Sequence, residues 1–65
     1  MNITEMTLQG LKPGDRFSFY KFPWMRNQTY KVEYVGGGTC KYVNEHSKTI
    51  YYCRKLERVV FKRTN

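Results

Sequence analysis

The sequence predicts an all-β protein, and three observations support that fold class. The 65 residues include no alanine and only three leucines, so the strongest helix formers are nearly missing. Thirteen β-branched and eleven aromatic residues take their place, and both types favour the pleated surface of a sheet. Glycine and proline divide the chain into segments of strand length. We therefore expect a single β domain over residues 1–65, with a thin core.

The first part of the chain predicts a turn and a strand. Residues 1–11 fit either one helical turn or an edge strand. Lys12-Pro13-Gly14-Asp15 predicts a tight turn, because proline presets φ at its second position and glycine accepts positive φ at its third. Apolar and polar side chains then alternate from Arg16 to Lys21, which predicts the first strand with Phe17 and Phe19 facing the core.

Four more strands are predicted after a long loop at Phe22–Gln28. They are Thr29–Val35, Thr39–Asn44, Thr49–Arg54 and Val59–Lys62. Three consecutive glycines join the second strand to the third, and a polar tetrapeptide joins the third to the fourth. A tight turn at Lys55–Glu57 precedes the fifth strand, and residues 62–65 are expected to fray as a polar tail.

The lengths of the loops predict the pairing of the strands. If Val35 lies opposite Thr39, and Asn44 opposite Thr49, both hairpins turn the same mostly apolar face inward. That face carries Tyr30, Val32, Tyr34, Cys40, Tyr42, Tyr51 and Cys53. The outer face carries a second apolar patch of Val43, Ile50 and Tyr52. Such a patch is compatible with a homodimer.

Five short strands are too few for two stacked sheets, so a bent meander that closes into a barrel is expected. The segment Leu11-Lys12-Pro13-Gly14-Asp15-Arg16-Phe17 resembles the first turn and strand of SH3-like small barrels of the Tudor and KOW kind. The long loop after the first strand, and the short turn before Val59-Val60-Phe61, resemble the same layout. The resemblance implies a five-stranded SH3-like barrel. It does not imply binding of proline-rich peptides, because the acidic and aromatic groove motif of true SH3 domains is absent.

Charge and composition exclude several classes of function. Twelve Lys and Arg against five Asp and Glu give a net charge of +7. No apolar run reaches ten residues and no secretion signal is present, so we expect a cytoplasmic protein without membrane contact. One histidine, one aspartate and four glutamates leave few groups for proton transfer, which favours a non-enzymatic protein. Small, basic, alanine-free chains of this kind also resemble orphan proteins of bacteriophages and mobile elements.

The cysteines and the histidine predict no metal site and no other cofactor. Cys40, Cys53 and His46 are the only residues of their types, and a protein zinc site needs about four ligands. The predicted pairing places the two cysteines across from each other, close enough for a disulfide. A reducing compartment favours two thiols instead, and a buried thiol is an ordinary small apolar group. His46 is expected to be solvated in its polar turn.

An aromatic tract from Phe19 to Arg26 predicts a binding surface. Its eight residues hold four aromatic side chains, a methionine and two cations around a proline. Tryptophan and methionine exposed beside cations are typical of binding surfaces, where aromatic rings carry much of the affinity. The alternative interpretation is that the loop folds over an open end of the barrel as a plug.

The leading functional hypothesis is binding of nucleic acid, single-stranded or without base specificity. The residues predicted to stack on bases are Tyr20, Phe22 and Trp24, and those predicted to contact phosphates are Lys21, Arg26, Arg54, Lys55 and Arg58. Two alternatives stay open. One is a phage-encoded inhibitor that docks on an acidic host protein through the Trp24 loop. The other is sequestration of an anionic, nucleotide-like small molecule by an oligomer.

Overall fold

A computed structural model describes residues 2–22, 24–25 and 28–64, and it confirms the all-β fold class. The described residues form six strands: β1 Asn2–Thr7, β2 Arg16–Ser18, β3 Tyr30–Gly36, β4 Thr39–Asn44, β5 Ile50–Cys53 and β6 Val59–Thr64. A short 3-10 turn, Leu8–Gly10, follows β1. Within these residues, no helix is long and apolar enough to cross a membrane.

All six strands belong to one antiparallel sheet with the order β1-β6-β2-β3-β4-β5. Strands β2 to β5 form a meander, and β6 returns to pair with β2. Among the described strands, β1 and β5 are the two edges of this sheet, so the sheet is open. The expectation of five strands closing into a barrel is therefore corrected to six strands in an open sheet.

The sixth strand comes from the N-terminal segment, which contains both a strand and a helical turn. β1 pairs along β6, with Met6 opposite Val60 and Asn2 opposite Thr64. Because β6 lies between β1 and β2, it is paired along its whole length with β1 and over residues 61–63 with β2, and it continues to Thr64. The expectation of a frayed tail at residues 62–65 is wrong for Lys62–Thr64, and Arg63 is only 5% exposed.

The predicted turn before β2 is confirmed. The Asp15 N–H donates to the Lys12 carbonyl at 3.0 Å, and Gly14 has a φ of 92° that suits glycine. The Gly14 N–H donates to the Val32 carbonyl, and the Val32 N–H donates to the Asp15 carbonyl, both at 2.8 Å. These two bonds fix the turn against β3 and bring Phe17 into the core.

The β3–β4 hairpin is shorter than the three glycines suggest. Gly37 and Gly38 have φ values of 61° and 76°, and Gly36 pairs with Thr39. Two residues with positive φ form the hairpin turn whose twist best matches that of the strands. The predicted pairing of Val35 with Thr39 is therefore wrong by one position, and Val35 pairs with Cys40.

A β-bulge between Val32 and Tyr34 compensates for this shift. The extra residue restores the predicted pairing of Val32 with Tyr42. It also moves Val35 onto the core side, while Tyr34 lies opposite Lys41 and is exposed. The prediction that Tyr34 faces inward is wrong for this reason.

The β4–β5 hairpin has the predicted register, with Cys40 opposite Cys53 and Tyr42 opposite Tyr51. Its turn is closed by the buried Asn44, whose Oδ1 accepts hydrogen bonds from the N–H groups of His46 at 2.8 Å and Ser47 at 2.9 Å. An asparagine that bonds the backbone two and three residues ahead stabilises such a turn. The structure thus supports the pairing inferred from the length of this loop.

The core is small and lies on the inner face of the sheet. It consists of Leu8, Leu11, Phe17, Val32, Cys40, Tyr42 and Val60. The ring of Phe17 is at its centre, with centroid distances of 5.4 Å to Phe19, 5.6 Å to Tyr30 and 5.2 Å to Tyr42. Phe19 and Tyr30 also flank the loop between β2 and β3, so the core continues to the base of that loop.

Candidate functional site

The loop between β2 and β3 presents aromatic side chains to solvent. Trp24 is 78% exposed, and Tyr20, Phe22 and Met25 are exposed in the same loop. A loop that folded over the core as a plug would bury the indole of Trp24, so this exposure argues against the plug interpretation. Arg26, which the sequence places at the same site, lies outside the described residues, as does Pro23.

The exposed rings are arranged by a local turn. The Met25 N–H donates to the Phe22 carbonyl at 3.0 Å, which folds the backbone back on itself. The rings of Phe22 and Trp24 are stacked, with centroids 4.9 Å apart and planes 25° apart. The Lys21 Nζ lies 5.7 Å from the centroid of the Phe22 ring. The loop therefore combines a stacked aromatic pair with an adjacent cation.

Arg63 of β6 fixes the base of this loop. Its Nε donates to the Ser18 Oγ at 2.6 Å. Its Nη2 donates to the carbonyls of Tyr20 at 3.1 Å and Lys21 at 3.2 Å. Because a guanidinium is planar and its donors are fixed relative to one another, these three bonds define where the backbone leaves β2. Arg63 is thus a positioning residue for the aromatic side chains beyond Tyr20.

The environment of Arg63 is unusual for an arginine, since Arg16 lies directly opposite it in the β2–β6 ladder. Burial lowers the pKa of Arg63, and the positive charge of Arg16 lowers it further. An arginine pKa remains far above neutrality, so the side chain stays charged. Glu45 accepts hydrogen bonds from the Arg16 Nε at 2.9 and 3.1 Å and so offsets part of the repulsion.

Arg58 joins the predicted basic segment to the base of the loop. Its guanidinium carbon lies 4.3 Å from the centroid of the Phe19 ring, which is a close cation–π contact. The Phe19 ring also contacts the Tyr30 ring, and the Tyr30 ring in turn contacts Tyr51, with the centroids of Tyr30 and Tyr51 5.9 Å apart. The structure therefore brings Arg58, but not the whole basic segment, to the aromatic loop.

Arg54 and Lys55 are exposed in the turn between β5 and β6. Among the described residues, their side chains make no hydrogen bond, ion pair or ring contact with the aromatic loop. The turn itself is tied by backbone bonds, in which the Arg58 N–H donates to the Lys55 carbonyl at 3.1 Å. These two cations can reach a polyanion that extends beyond the loop, but they do not belong to its immediate surface.

An open cleft of about 540 Å³ lies beside the end of the loop, lined by Arg16, Gln28, Thr29, Glu45 and His46. Its charged pair is already formed, because Glu45 binds the guanidinium of Arg16. His46 is exposed in the hairpin turn, as predicted. The residues that line the cleft are all of polar type, and its surface is open to solvent.

The cysteines are two free thiols in opposite register positions. Cys40 is buried and Cys53 is half-buried. Burial raises the pKa of the Cys40 thiol, and the neighbouring Cys53 acts in the same direction. No three His, Cys, Asp or Glu side chains in residues 2–22, 24–25 and 28–64 are grouped so as to hold a metal ion. Cys40 therefore packs as a core side chain.

Two features of the site cannot be read from local sequence patterns. Arg63 is placed by the pairing of β6 with β2, and nothing near position 63 indicates that distant partner. Tyr34 is placed on the outer face by the bulge, and the alternating pattern of β3 predicts the opposite direction. The only signal of this in the sequence is a pair of tyrosines on strands. Assigning them to the exposed face requires the correct register.

Comparison with models of known families, with curated proteins and with solved structures found no match for this chain. The functional interpretation therefore depends on the residues, distances and charges described above.

Proposed function

We propose that this protein is a non-enzymatic module that binds single-stranded nucleic acid, with little base specificity, through the loop between β2 and β3. The observation that carries the proposal is the geometry of Trp24, which is 78% exposed and stacked on Phe22 beside the cation of Lys21. Bases offer flat faces to such rings, and phosphates offer negative charge to the cation.

The net charge supports the same ligand. A charge of +7 on 65 residues creates a field that attracts polyanions and exceeds what solubility requires. Lys21 and Arg58 are held against aromatic rings at or near the loop, while Arg54 and Lys55 are exposed further along the surface. Arg26 is proposed as a fifth phosphate contact from the sequence alone. Ring stacking then supplies part of the affinity and the cations supply the rest.

We also propose that β2 to β6 are an SH3-like unit to which β1 is added. The support is the meander of β2 to β5, the long loop after β2, and the return of β6 to pair with β2. In this proposal, β1 occupies the outer edge of β6 and leaves the loop between β2 and β3 open to solvent.

A second candidate is docking on an acidic protein through the same loop. Met25 favours it, because an exposed methionine next to Trp24 suits an adaptable protein interface and has no role in stacking on bases. Sequestration of an anionic nucleotide is a weaker third candidate, since a single exposed stacked pair encloses little of a small ligand.

The test uses the single tryptophan as its own probe. Titration with the oligonucleotide dT15 is expected to quench Trp24 fluorescence, and an abasic 15-mer with the same phosphates is expected to bind more weakly. Trp24→Ala, followed by fluorescence anisotropy of labelled dT15, is expected to weaken binding by about 1 to 3 kcal/mol, roughly 5- to 150-fold in Kd. Val59→Ala, at an exposed apolar position four residues before Arg63, is the control and should leave the Kd unchanged.

Salt dependence separates the two main candidates. If all five proposed cations contact phosphates, log K against log salt should fall with a slope of roughly −3.5. Lys21→Gln should reduce that slope by somewhat less than one, whereas Lys12→Gln, in the turn before β2, should not. Equal affinity for dT15 and the abasic strand would contradict stacking. No binding to either strand, with tight binding to an acidic protein, would favour docking instead.

A further inference from the structure

A row of three side chains crosses the outer face of β3, β4 and β5. Tyr34 lies opposite Lys41, and Lys41 lies opposite Tyr52. Side chains at directly paired positions point to the same face of a sheet. Tyr34 and Tyr52 are 43% and 63% exposed, and the Lys41 Nζ lies 5.8 Å from the centroid of the Tyr52 ring. The row is thus two exposed tyrosine rings on either side of a lysine whose ammonium group lies near the Tyr52 ring.

The β-bulge creates this row. Without the extra residue between Val32 and Tyr34, an alternating strand would turn Tyr34 to the core and Val35 to solvent. With it, Val35 packs against the core and Tyr34 is directed outward. The two tyrosines stand two strands apart, about 10 Å, so their rings cannot stack on each other. Both rings are exposed, so part of each is accessible to a ligand.

The charge on this face is suited to an anion. Lys31 is exposed on the same face, one row further along, opposite Val43, and Val43 lies opposite the exposed Ile50. The acidic side chain beside the row is Glu33, which is exposed at the bulge. Two lysines against one glutamate leave the face positive, as the whole molecule is.

We propose that Tyr34, Lys41 and Tyr52 form a second binding site for single-stranded nucleic acid, separate from the loop. The two rings stack on bases, Lys41 contacts the phosphate between them, and Lys31 extends the basic track. A sheet that carries aromatic side chains on a flat exposed face is a known form of single-strand recognition. The site shares its ligand with the proposed function but consists of other residues, so either can fail alone.

Two sites on one small protein predict a dependence on strand length. A strand that reaches both sites binds the second one intramolecularly and gains affinity without a new contact. A strand too short to reach both should bind each site independently. We therefore expect the affinity for dT20 to exceed the affinity for dT6 by more than the greater number of nucleotides explains. This excess affinity should disappear when either site is removed.

The test compares ring removal with ring retention. Tyr34→Ala with Tyr52→Ala should weaken dT20 binding by roughly 25-fold, whereas Tyr34→Phe with Tyr52→Phe should bind within about 2-fold of the parent. Glu33→Gln should strengthen binding by a few fold, because it removes the acid beside the row. Photo-crosslinking with a bromouracil-substituted dT20, followed by peptide mapping, should mark Tyr34 or Tyr52. Circular dichroism checks that each variant is folded.

Other results of these experiments would give the outer face of β3, β4 and β5 a different role or would contradict the loop proposal. Unchanged dT20 affinity in the alanine pair, with no crosslink on β3 or β5, overturns the second site. If Trp24→Ala still weakens binding in that case, the proposed loop function stands. If the alanine pair abolishes binding and Trp24→Ala has no effect, the loop proposal fails and the sheet site stands. A dimer in the parent that becomes a monomer in the alanine pair, with dT20 affinity unchanged, overturns the second site in favour of a second copy of the chain.

Discussion

Two pairs of aromatic rings that are adjacent along the chain, Phe17 with Phe19 and Phe22 with Trp24, adopt opposite arrangements. In the core, Phe17 meets Phe19 and Tyr42 edge to face, with planes 87° and 76° apart. In the loop, Phe22 and Trp24 lie nearly parallel, 25° apart, and face solvent. Edge-to-face contacts surround a ring with neighbours, whereas a stacked pair at the surface leaves an outer face uncovered.

The difference shows that the backbone, and not residue type, decides what an aromatic side chain does in this protein. On β2 the alternation of the strand directs Phe17 inward between β3 and β6. Beyond Ser18 the ladder ends, and the bonds from Arg63 fix where the chain leaves it. The rings of Phe17 and Phe19 pack in the core, and those of Phe22 and Trp24 beyond them are exposed to solvent.

The largest expected effect is in the core. Phe17→Ala should destabilise the domain by about 3 to 5 kcal/mol, because it removes the ring at the centre of the cluster and leaves a cavity. A domain of this size can unfold entirely under such a loss. Phe17→Leu, measured by urea denaturation, keeps the prediction testable and should cost much less. A loss under about 1 kcal/mol for Phe17→Ala would show that the ring is not central.

Tyr42 should make the core sensitive to alkaline pH. Burial raises the pKa of Tyr42 to about 12, and the nearby Cys53 adds to the effect. The folded pKa exceeds the unfolded value near 10, so this contribution to stability is complete below pH 10 and is lost as the pH rises toward 12. The loss should be roughly 2 to 3 kcal/mol. Tyr42→Phe lacks the ionisable group and should show a smaller decline in urea denaturation from pH 9.5 to 11.5.

Loss of the Arg63 side chain should affect both the stability of the fold and the conformation of the aromatic loop. Arg63→Met removes the hydrogen bonds that a charged donor makes to Ser18, Tyr20 and Lys21, and it should cost about 2 kcal/mol of stability. Limited trypsin digestion should then cut after Lys21 faster than in the parent. Lys62→Met, at the adjacent position with a surface ion pair to Asp15 at 3.6 Å, should cost under about 1 kcal/mol. Equal rates of proteolysis in the two variants would show that Arg63 does not position the loop.

The smallest effect on stability is expected at Trp24. Trp24→Ala should change the free energy of unfolding by less than about 0.5 kcal/mol, because little of the side chain is buried. The same substitution is the one expected to weaken binding to dT15, so stability and binding should respond in opposite ways at Phe17 and Trp24. A fall in Tm of several degrees in Trp24→Ala would restore the plug interpretation.

Much of the sheet follows from local patterns. β4 has the predicted bounds, and the pairing of Cys40 with Cys53 follows from the length of one polar loop. Hairpins are predictable because their turn and pairing are close in sequence. The open six-stranded sheet was not predictable in this way, since its order depends on how strands distant in the chain meet. β1 was ambiguous for the same reason.

The candidate site was predictable only in part. The aromatic loop follows from its composition, and Trp24 and Phe22 are exposed in it as expected. The alternating pattern predicts Tyr34 in the core. This prediction is wrong because a bulge of one residue reverses the direction of every side chain up to the next turn. A pattern of alternating residues cannot reveal where such an insertion falls when both Tyr34 and Val35 are apolar enough for either face.

The pairing of β1 with β6 also sets the order in which the molecule can assemble. Residues 8–58 separate these two strands, and closing a loop of that length costs entropy before any contact compensates for it. Such non-local topologies fold in milliseconds to seconds, while helical bundles of equal size fold far faster. During translation β1 emerges first and stays without its partner until β6 has been made. The strand includes the polar residues Thr4, Glu5 and Thr7, and charged or polar side chains on an unpaired strand disfavour its pairing with other chains.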